Sequence, residues 1–238
     1  MKRIDVFTLV PQAFTWFVGQ HPVSSAIAAG AIAVEVHNIR EHSRLPHHEV
    51  DDTPYGGGPG MVTRVDIVAQ ALQDVFAMPA RQVREGRDVY VLAAGGRPFD
   101  HQVCRSLSGG ERDLVLLCGR FEGFDARVEE ILATGSLSVG PYVLAGGEVA
   151  ALAVVEALVR HLPGALGNAV SVVEESFSEE LEGMVEYPHY TRPRDFLGAE
   201  VPSVLLSGDH AAIARWRREH ARPSPWHHPA QSKTGGRE

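Results

Sequence analysis

From Arg3 to Leu162, short apolar runs rich in β-branched residues alternate with longer segments of helical period, and that alternation leaves few folds open. Strand-like runs stand at Arg3 to Val10, Ile32 to Ile39, Asp88 to Ala93, Leu114 to Cys118 and near Leu137 to Leu144. Helical segments are read at Gln12 to Ala29, about Arg64 to Phe76, about Asp125 to Thr134, and Val149 to Leu162. Strands separated by helices predict an α/β fold with an open, mainly parallel sheet. Val149 to Leu162 is the longest apolar stretch. It is interrupted by Glu156 and Arg160 and falls short of the roughly 20 apolar residues of a membrane span, so it reads as a buried helix and no membrane is expected.

Beyond Pro163 the pattern breaks. Some twenty residues mix Gly, Ser and acids without sustained period, as in a linker or a functional loop. Val201 to Leu206 is then short and apolar, and Asp209 is placed to cap a helix from about His210 to Ala221, before Pro223 and Pro225 stop it. The expected domains are therefore 1–162 (α/β), 163–188 (linker) and 189–238 (small and mainly helical). Charge supports a division of labour. The formal net charge is −8, which by itself argues against a phosphate-rich partner. From His189 to Glu238, however, eight Lys or Arg face five acids, a net of +3, leaving −11 on the other 188 residues. A basic tail domain beside an acidic body points to nucleic acid at the tail.

Three strand ends carry glycine. Leu92 to Gly96 (LAAGG), Leu117 to Val128 (LCGRFEGFDARV) and Leu137 to Glu148 (LSVGPYVLAGGE) each leave a strand through Gly, and ligands of open α/β sheets bind outside such ends. Together they predict one pocket of backbone and apolar groups suited to a nucleoside-containing cofactor, with Arg120 and Glu122 as polar contacts. A fourth segment, DDTPYGGGPGMV, holds four glycines and two prolines in the eight positions from Pro54 to Met61. That density lets backbone approach a ligand closely, yet no Gly-Lys-Ser/Thr follows and no strand directly precedes it, so it is neither a Walker loop nor a dinucleotide fingerprint. His47 and His48 near Glu49, Asp51 and Asp52, and the pair His227 and His228, have the residue types of metal ligands but not the spacing. Cys104 and Cys118 lack a resolving partner and read as buried small hydrophobes. With no apolar leader in MKRIDVFTLVP, a reduced, cytoplasmic protein is expected.

In one order the chain carries DDTPYGGGPGM, LLCGRFEGFDARV, LSVGPYVLAGGE, VRHLPGALGN, YPHYTRP and VPSVLLSGDHAAIARWR. Together these segments resemble the bacterial tRNA guanine-N1 methyltransferases, the TrmD family of the SPOUT superfamily. The resemblance implies a parallel sheet tied in a deep trefoil knot, which no periodicity reveals. It implies a homodimer with the active site at the subunit interface, and methyl transfer from S-adenosylmethionine to N1 of guanine at tRNA position 37. Carried over, the cofactor would meet Leu92, Ala94, Gly119, Glu122, Gly123, Val139, Gly140, Pro141, Tyr142, Val143, Leu144, Gly146 and Gly147. The tRNA would meet Tyr55, Gly58, His189, Arg192 and Arg217, and Glu122 would contact Mg2+.

For catalysis the resemblance implies Arg160 at guanine O6 and, fifteen positions later, Glu175 as the base that takes the N1 proton. The family usually has aspartate at the latter position, and glutamate adds a methylene. Ala94 and Gly95 likewise stand in place of Pro-Gln, Pro141 in place of an aspartate, and Phe121 in place of a tyrosine. Two rival readings stay open from the residues: a SPOUT ribose 2′-O-methyltransferase, or a weakly active or inactive tRNA-binding homologue.

Overall fold

The computed structural model describes residues 1–165 and 175–225. The chain divides into two compact units, Met1–Gly167 and Asn168–Glu238. The residues at 166–174 and 226–238, among them Glu174, His227, His228, Lys233 and Arg237, lie outside the described residues.

The first unit contains β1 (Lys2–Thr8), α1 (Val23–Ala28), β2 (Ile32–Asn38), a small antiparallel pair β3 (Asp51–Asp52) and β4 (Val62–Thr63), α2 (Val65–Phe76), α3 (Ala80–Gly86), β5 (Arg87–Pro98), α4 (His101–Gly109), β6 (Asp113–Cys118), β7 (Gly135–Ser138) and α5 (Glu148–Arg160). Five strands form one sheet in the order β2-β1-β6-β5-β7, and every pairing in it is parallel. A central parallel strand is buried on both faces, and β6 is apolar from Leu114 to Cys118 for that reason. Leu114, Leu116 and Cys118 join a core with Ile4, Val6 and the apolar faces of α1, α4 and α5. Val115 and Leu117 point the other way, into a second core with Phe7, Val89 and the faces of α2 and α3.

α5 shows which of two effects wins. Val154, Val155 and Val159 are β-branched, a helix penalty of less than about 0.7 kcal/mol each. All three are fully buried, which contributes about 1.5–3 kcal/mol apiece, so packing decides.

Several elements differ from the periodicity. Gln12 to Ala29 is not one helix but two 3-10 turns, Pro11–Phe14 and Phe17–Gly19, followed by α1. Pro22 has no N–H for the carbonyl four residues back, so the helix restarts behind it. β5 runs further than expected because it bulges: Leu92 and Arg97 both pair with Leu137, and Ala93 to Gly96 arch between them. Gly96 allows this, since a Cβ there would stand 2.7 Å from the Leu137 backbone. β7 stops at Ser138 rather than Leu144, where Ser138 Oγ donates to the Gly140 carbonyl and Pro141 offers no donor. Between β6 and β7 residues 126–132 are helical, widening into a single broad turn at Val128–Leu132.

In the second unit α6 (His210–His220) forms as read, with the Asp209 carboxylate accepting the N–H groups of Ala211 and Ala212. Within the short apolar stretch Val201 to Leu206 lies a 3-10 turn, Ser203–Leu206. A hairpin of β8 (Asp195–Phe196) and β9 (Ala199–Glu200) precedes it, turning at Leu197 and Gly198 with φ of 55° and 83°. Residues 175–188, read as linker, belong to this unit: Ser176 Oγ accepts the Glu186 N–H at 3.1 Å, and Val185 exchanges backbone hydrogen bonds with Arg222. Among the described residues no helix is long and apolar enough to cross a membrane.

Candidate functional site

The three glycine-bearing strand ends converge. A cavity of about 350 Å³ lies outside the C-terminal ends of β5, β6 and β7, walled by the 92–94, 119–126 and 137–147 segments. Of the residues expected at a cofactor, Leu92, Ala94, Gly119, Glu122, Gly123, Val139, Gly140, Tyr142, Val143, Leu144, Gly146 and Gly147 line it. Pro141 does not; it is exposed on the turn that Tyr142 closes by donating its hydroxyl to the Val139 carbonyl.

Phe124, Asp125, Ala126 and Glu129 also line the cavity, beyond the expected contacts. The run FDARVEE carried the signal, because the same strand-end logic extends into the turn after Gly123. Glu122, Asp125 and Glu129 are the cavity's acidic lining residues, Asp125 being paired with Arg127 and Glu129 Oε1 accepting the Ser136 hydroxyl at 2.7 Å. Hydrogen bonds from Arg127, at 2.8 Å through Nε, hold the Asp125 carboxyl below the usual carboxylate range.

The glycine-rich 54–61 segment is the loop of the β3–β4 hairpin and docks on the second glycine loop. Thr63 N–H donates to the Gly123 carbonyl at 2.9 Å, Glu122 N–H to Met61 at 3.1 Å, and Asp125 N–H to Thr63 at 3.0 Å. Gly56, Gly57, Gly58 and Gly60 all have positive φ, up to 127° at Gly58. A Cβ on Gly60 would approach Glu122 Oε1 to 2.5 Å, so glycine is needed for the loop to lie against that carboxylate. Tyr55 is fully exposed at the loop's tip.

Arg160 sits half-buried in the last turn of α5. Glu175 is half-buried in the second unit, its carbonyl accepting the Ser178 N–H at 3.1 Å. His189 is exposed, with Nε2 3.0 Å from Glu186 Oε2, and Arg192 is exposed. Arg217 is half-buried on α6. Its guanidinium lies 5.0 Å from the centre of the buried Tyr187 ring, while Arg215 and Arg218 on the same helix are exposed. Cys104 and Cys118 are both buried and are not joined in a disulfide, and burial, with the Glu148 charge adding to it, pushes the Cys118 thiol well up. Among the described residues no three His, Cys, Asp or Glu side chains converge as a metal cluster.

Comparison with known proteins bears on the whole chain. A family profile described as tRNA (Guanine-1)-methyltransferase TrmD matches residues 1–228. A tRNA (guanine-N(1)-)-methyltransferase of Rhodopirellula baltica is 45% identical over 224 residues, covering 92% of this chain and 89% of the relative. One from Thermus thermophilus is 48% identical over 219 residues, covering 92% and 86%, and one from Sorangium cellulosum is 44% identical, covering 94% and 93%.

Proposed function

Because the chain belongs to the tRNA (guanine-1)-methyltransferase TrmD family, we infer that it methylates N1 of guanine in tRNA and that the strand-end cavity binds S-adenosylmethionine. The observation that carries the cofactor reading is that cavity: three separate glycine loops meet around about 350 Å³, with an apolar and backbone wall for a nucleoside and the acidic residues Glu122 and Glu129 in its lining for the positive charge of a methionine-derived sulfonium. When bound, the cofactor supplies an electrophilic methyl whose sulfur departs as a neutral thioether.

The rest is the work of side chains. We propose Glu175 as the base that accepts the guanine N1 proton while the N1 electron pair forms the new N–C bond. Arg160 stabilises the negative charge that grows on O6, where a fixed planar guanidinium needs no reorganisation. The catalytic gain comes mainly from alignment of methyl and N1. Glu122, beside the Gly60 loop, is the carboxylate for a Mg2+ contact, completed by water or substrate oxygens.

We assign the body, 1–162, to the cofactor and 189–238 to the tRNA, with the 163–188 segment bearing the base. Tyr55, Gly58, His189, Arg192 and Arg217 are the further tRNA contacts. The target is position 37, the fold is knotted, the enzyme is a homodimer with its site at the subunit interface, and it works in the cytoplasm where tRNA is processed. The ribose alternative finds no support in the relatives' names.

The test is transfer of labelled methyl from S-adenosylmethionine to a tRNA transcript carrying G37, with mass mapping of the product. N1-methylguanosine at position 37, lost with A37, is expected. Methylation that survives the A37 change would overturn the assignment to the base.

A further inference from the structure

Behind the cavity wall lies a buried carboxylate. Glu148, 5% exposed in the first turn of α5, accepts the Thr8 hydroxyl at 2.8 Å through Oε1 and Arg120 Nη1–H at 3.2 Å through Oε2. Thr8 Oγ in turn accepts the Val10 N–H at 2.9 Å. One side chain therefore ties the end of β1 to the loop after β6 and to the start of α5, where the helix N-terminus favours negative charge. The backbone closes the same junction, with Gly147 N–H on the Gly119 carbonyl at 2.9 Å and Arg120 bridged to Gly146.

There is no room for a side chain over the pair. A Cβ on Gly146 would come within 2.3 Å of Glu148 Oε2 and 3.0 Å of Arg120 Nη1, and one on Gly147 within 2.8 Å of the Cys118 Cα. Gly119, Gly146 and Gly147 line the cavity, whereas Thr8, Arg120 and Glu148 do not. The ion pair thus acts on the wall from behind.

We propose that Thr8, Glu148 and Arg120 are positioning residues that set the spacing between the 119–123 and 139–147 loops, and with it the fit of the cavity to S-adenosylmethionine. The proposal rests on the cofactor reading above. A buried carboxylate held by a hydroxyl and a guanidinium has one low-energy geometry, so the two loops inherit one separation. Gly146 and Gly147 are the surface through which that separation reaches the ligand, and a misplacement near 1 Å is enough to disturb it.

The experiment compares full-length wild type, Glu148→Gln, Arg120→Lys and Gly146→Ala. S-adenosylmethionine affinity is read by calorimetry, KM is measured separately for S-adenosylmethionine and for tRNA, and folding is followed by thermal melting. Glu148→Gln and Gly146→Ala are each expected to weaken cofactor binding about tenfold and to raise the cofactor KM alike, with KM for tRNA changed less than about twofold. Arg120→Lys keeps a cation but loses the fork, and falls between. General destabilisation would lower kcat with either substrate varied and would leave both KM values in place.

Equal affinity in wild type and Glu148→Gln would overturn the network. If Glu148→Gln shows no cooperative melt, Gly146→Ala and Arg120→Lys decide on the same terms. Failure of the wild type itself to bind S-adenosylmethionine would overturn the cofactor reading and this proposal with it, whereas binding that no variant disturbs would overturn the proposal alone.

Discussion

Glu175 carries one methylene more than the aspartate the family pattern leads one to expect, and its consequence is measurable. If the second unit has settled around the longer side chain, shortening it to aspartate withdraws the carboxylate by roughly 1.5 Å, of the size that costs about a hundredfold in rate. Glu175→Asp is therefore expected to lower kcat by about tenfold to a hundredfold with little change in cofactor affinity, and Glu175→Gln to lower it by about 10²–10⁴, the usual range for removing a general base. Single-turnover methyl transfer measures both. An aspartate variant as fast as wild type would mean that the linker does not hold the carboxylate closely.

Asp5 gives a second test of a single residue. It is fully buried on β1, where burial would push its carboxyl up, but hydrogen bonds from His37 at 2.7 Å and Arg3 at 2.8 Å, with their charges, outweigh this and hold it below the ordinary Asp value of 3.8. A carboxyl lowered in the folded state contributes stability that is present above its unfolded pKa and is lost as pH falls through the folded one. The melting temperature should fall as pH drops below about 4, and Asp5→Asn should flatten that part of the profile. An unchanged profile in the variant would assign the acid sensitivity to other carboxylates.

Among the elements, α6 is the one whose start is written most plainly. Asp209 accepts two backbone N–H groups, Asp209→Ala removes them, and a cost of about 1 kcal/mol is expected. Because Tyr187 packs under Arg217, and Trp216 stacks on His220 at 4.1 Å, fraying at this cap loosens the surface that carries Arg215 and Arg218. Weaker tRNA binding with unchanged S-adenosylmethionine affinity is the expected result, read by filter binding and calorimetry.

Elements with a strong local signal, α2, α5, α6 and β6, match the reading of the sequence to within a residue or two. Gln12 to Ala29 and Leu137 to Leu144 do not, because Pro22 and Pro141 interrupt runs whose apolar period looked continuous. α3 and α4 passed unread. ARQVREG and HQVCRSLSG are short and polar, and they fold on contacts from residues distant in the chain, with Asp100 capping the second through the Val103 N–H.

At the scale of the molecule, a net −8 chain binds a polyanion only if charge is segregated, and the exposed Arg192, Arg194, Arg215 and Arg218 all lie in the second unit. Affinity for tRNA should fall steeply between low and physiological salt, and binding that ignores salt would remove these arginines from the interface. Arg160 and Glu175 lie in different compact units, which makes the dimer testable by function. If one site takes its arginine and its base from different subunits, mixing inactive Arg160→Ala and Glu175→Gln enzymes restores one of the two sites in each mixed dimer, about a quarter of wild-type activity over a 1:1 statistical mixture. No recovery after verified subunit exchange would place both residues of a site on one chain.

Local chemistry was enough to settle the parallel α/β class, the three glycine-bearing strand ends as neighbours in space, the cap at Asp209 and the buried state of both cysteines. Each depends on a period, a spacing or a residue's own conformational freedom, and none needs a partner far along the chain. Tertiary structure alone decided the strand order β2-β1-β6-β5-β7, the arch of β5 over Leu137, the docking of the Gly60 loop on Glu122, and the seating of Gly146 on the Glu148 and Arg120 pair. In that last contact Thr8 lies 140 positions from Glu148. Pairing at such separations leaves no local period, because it is selected by shape and charge only once the sheet has formed.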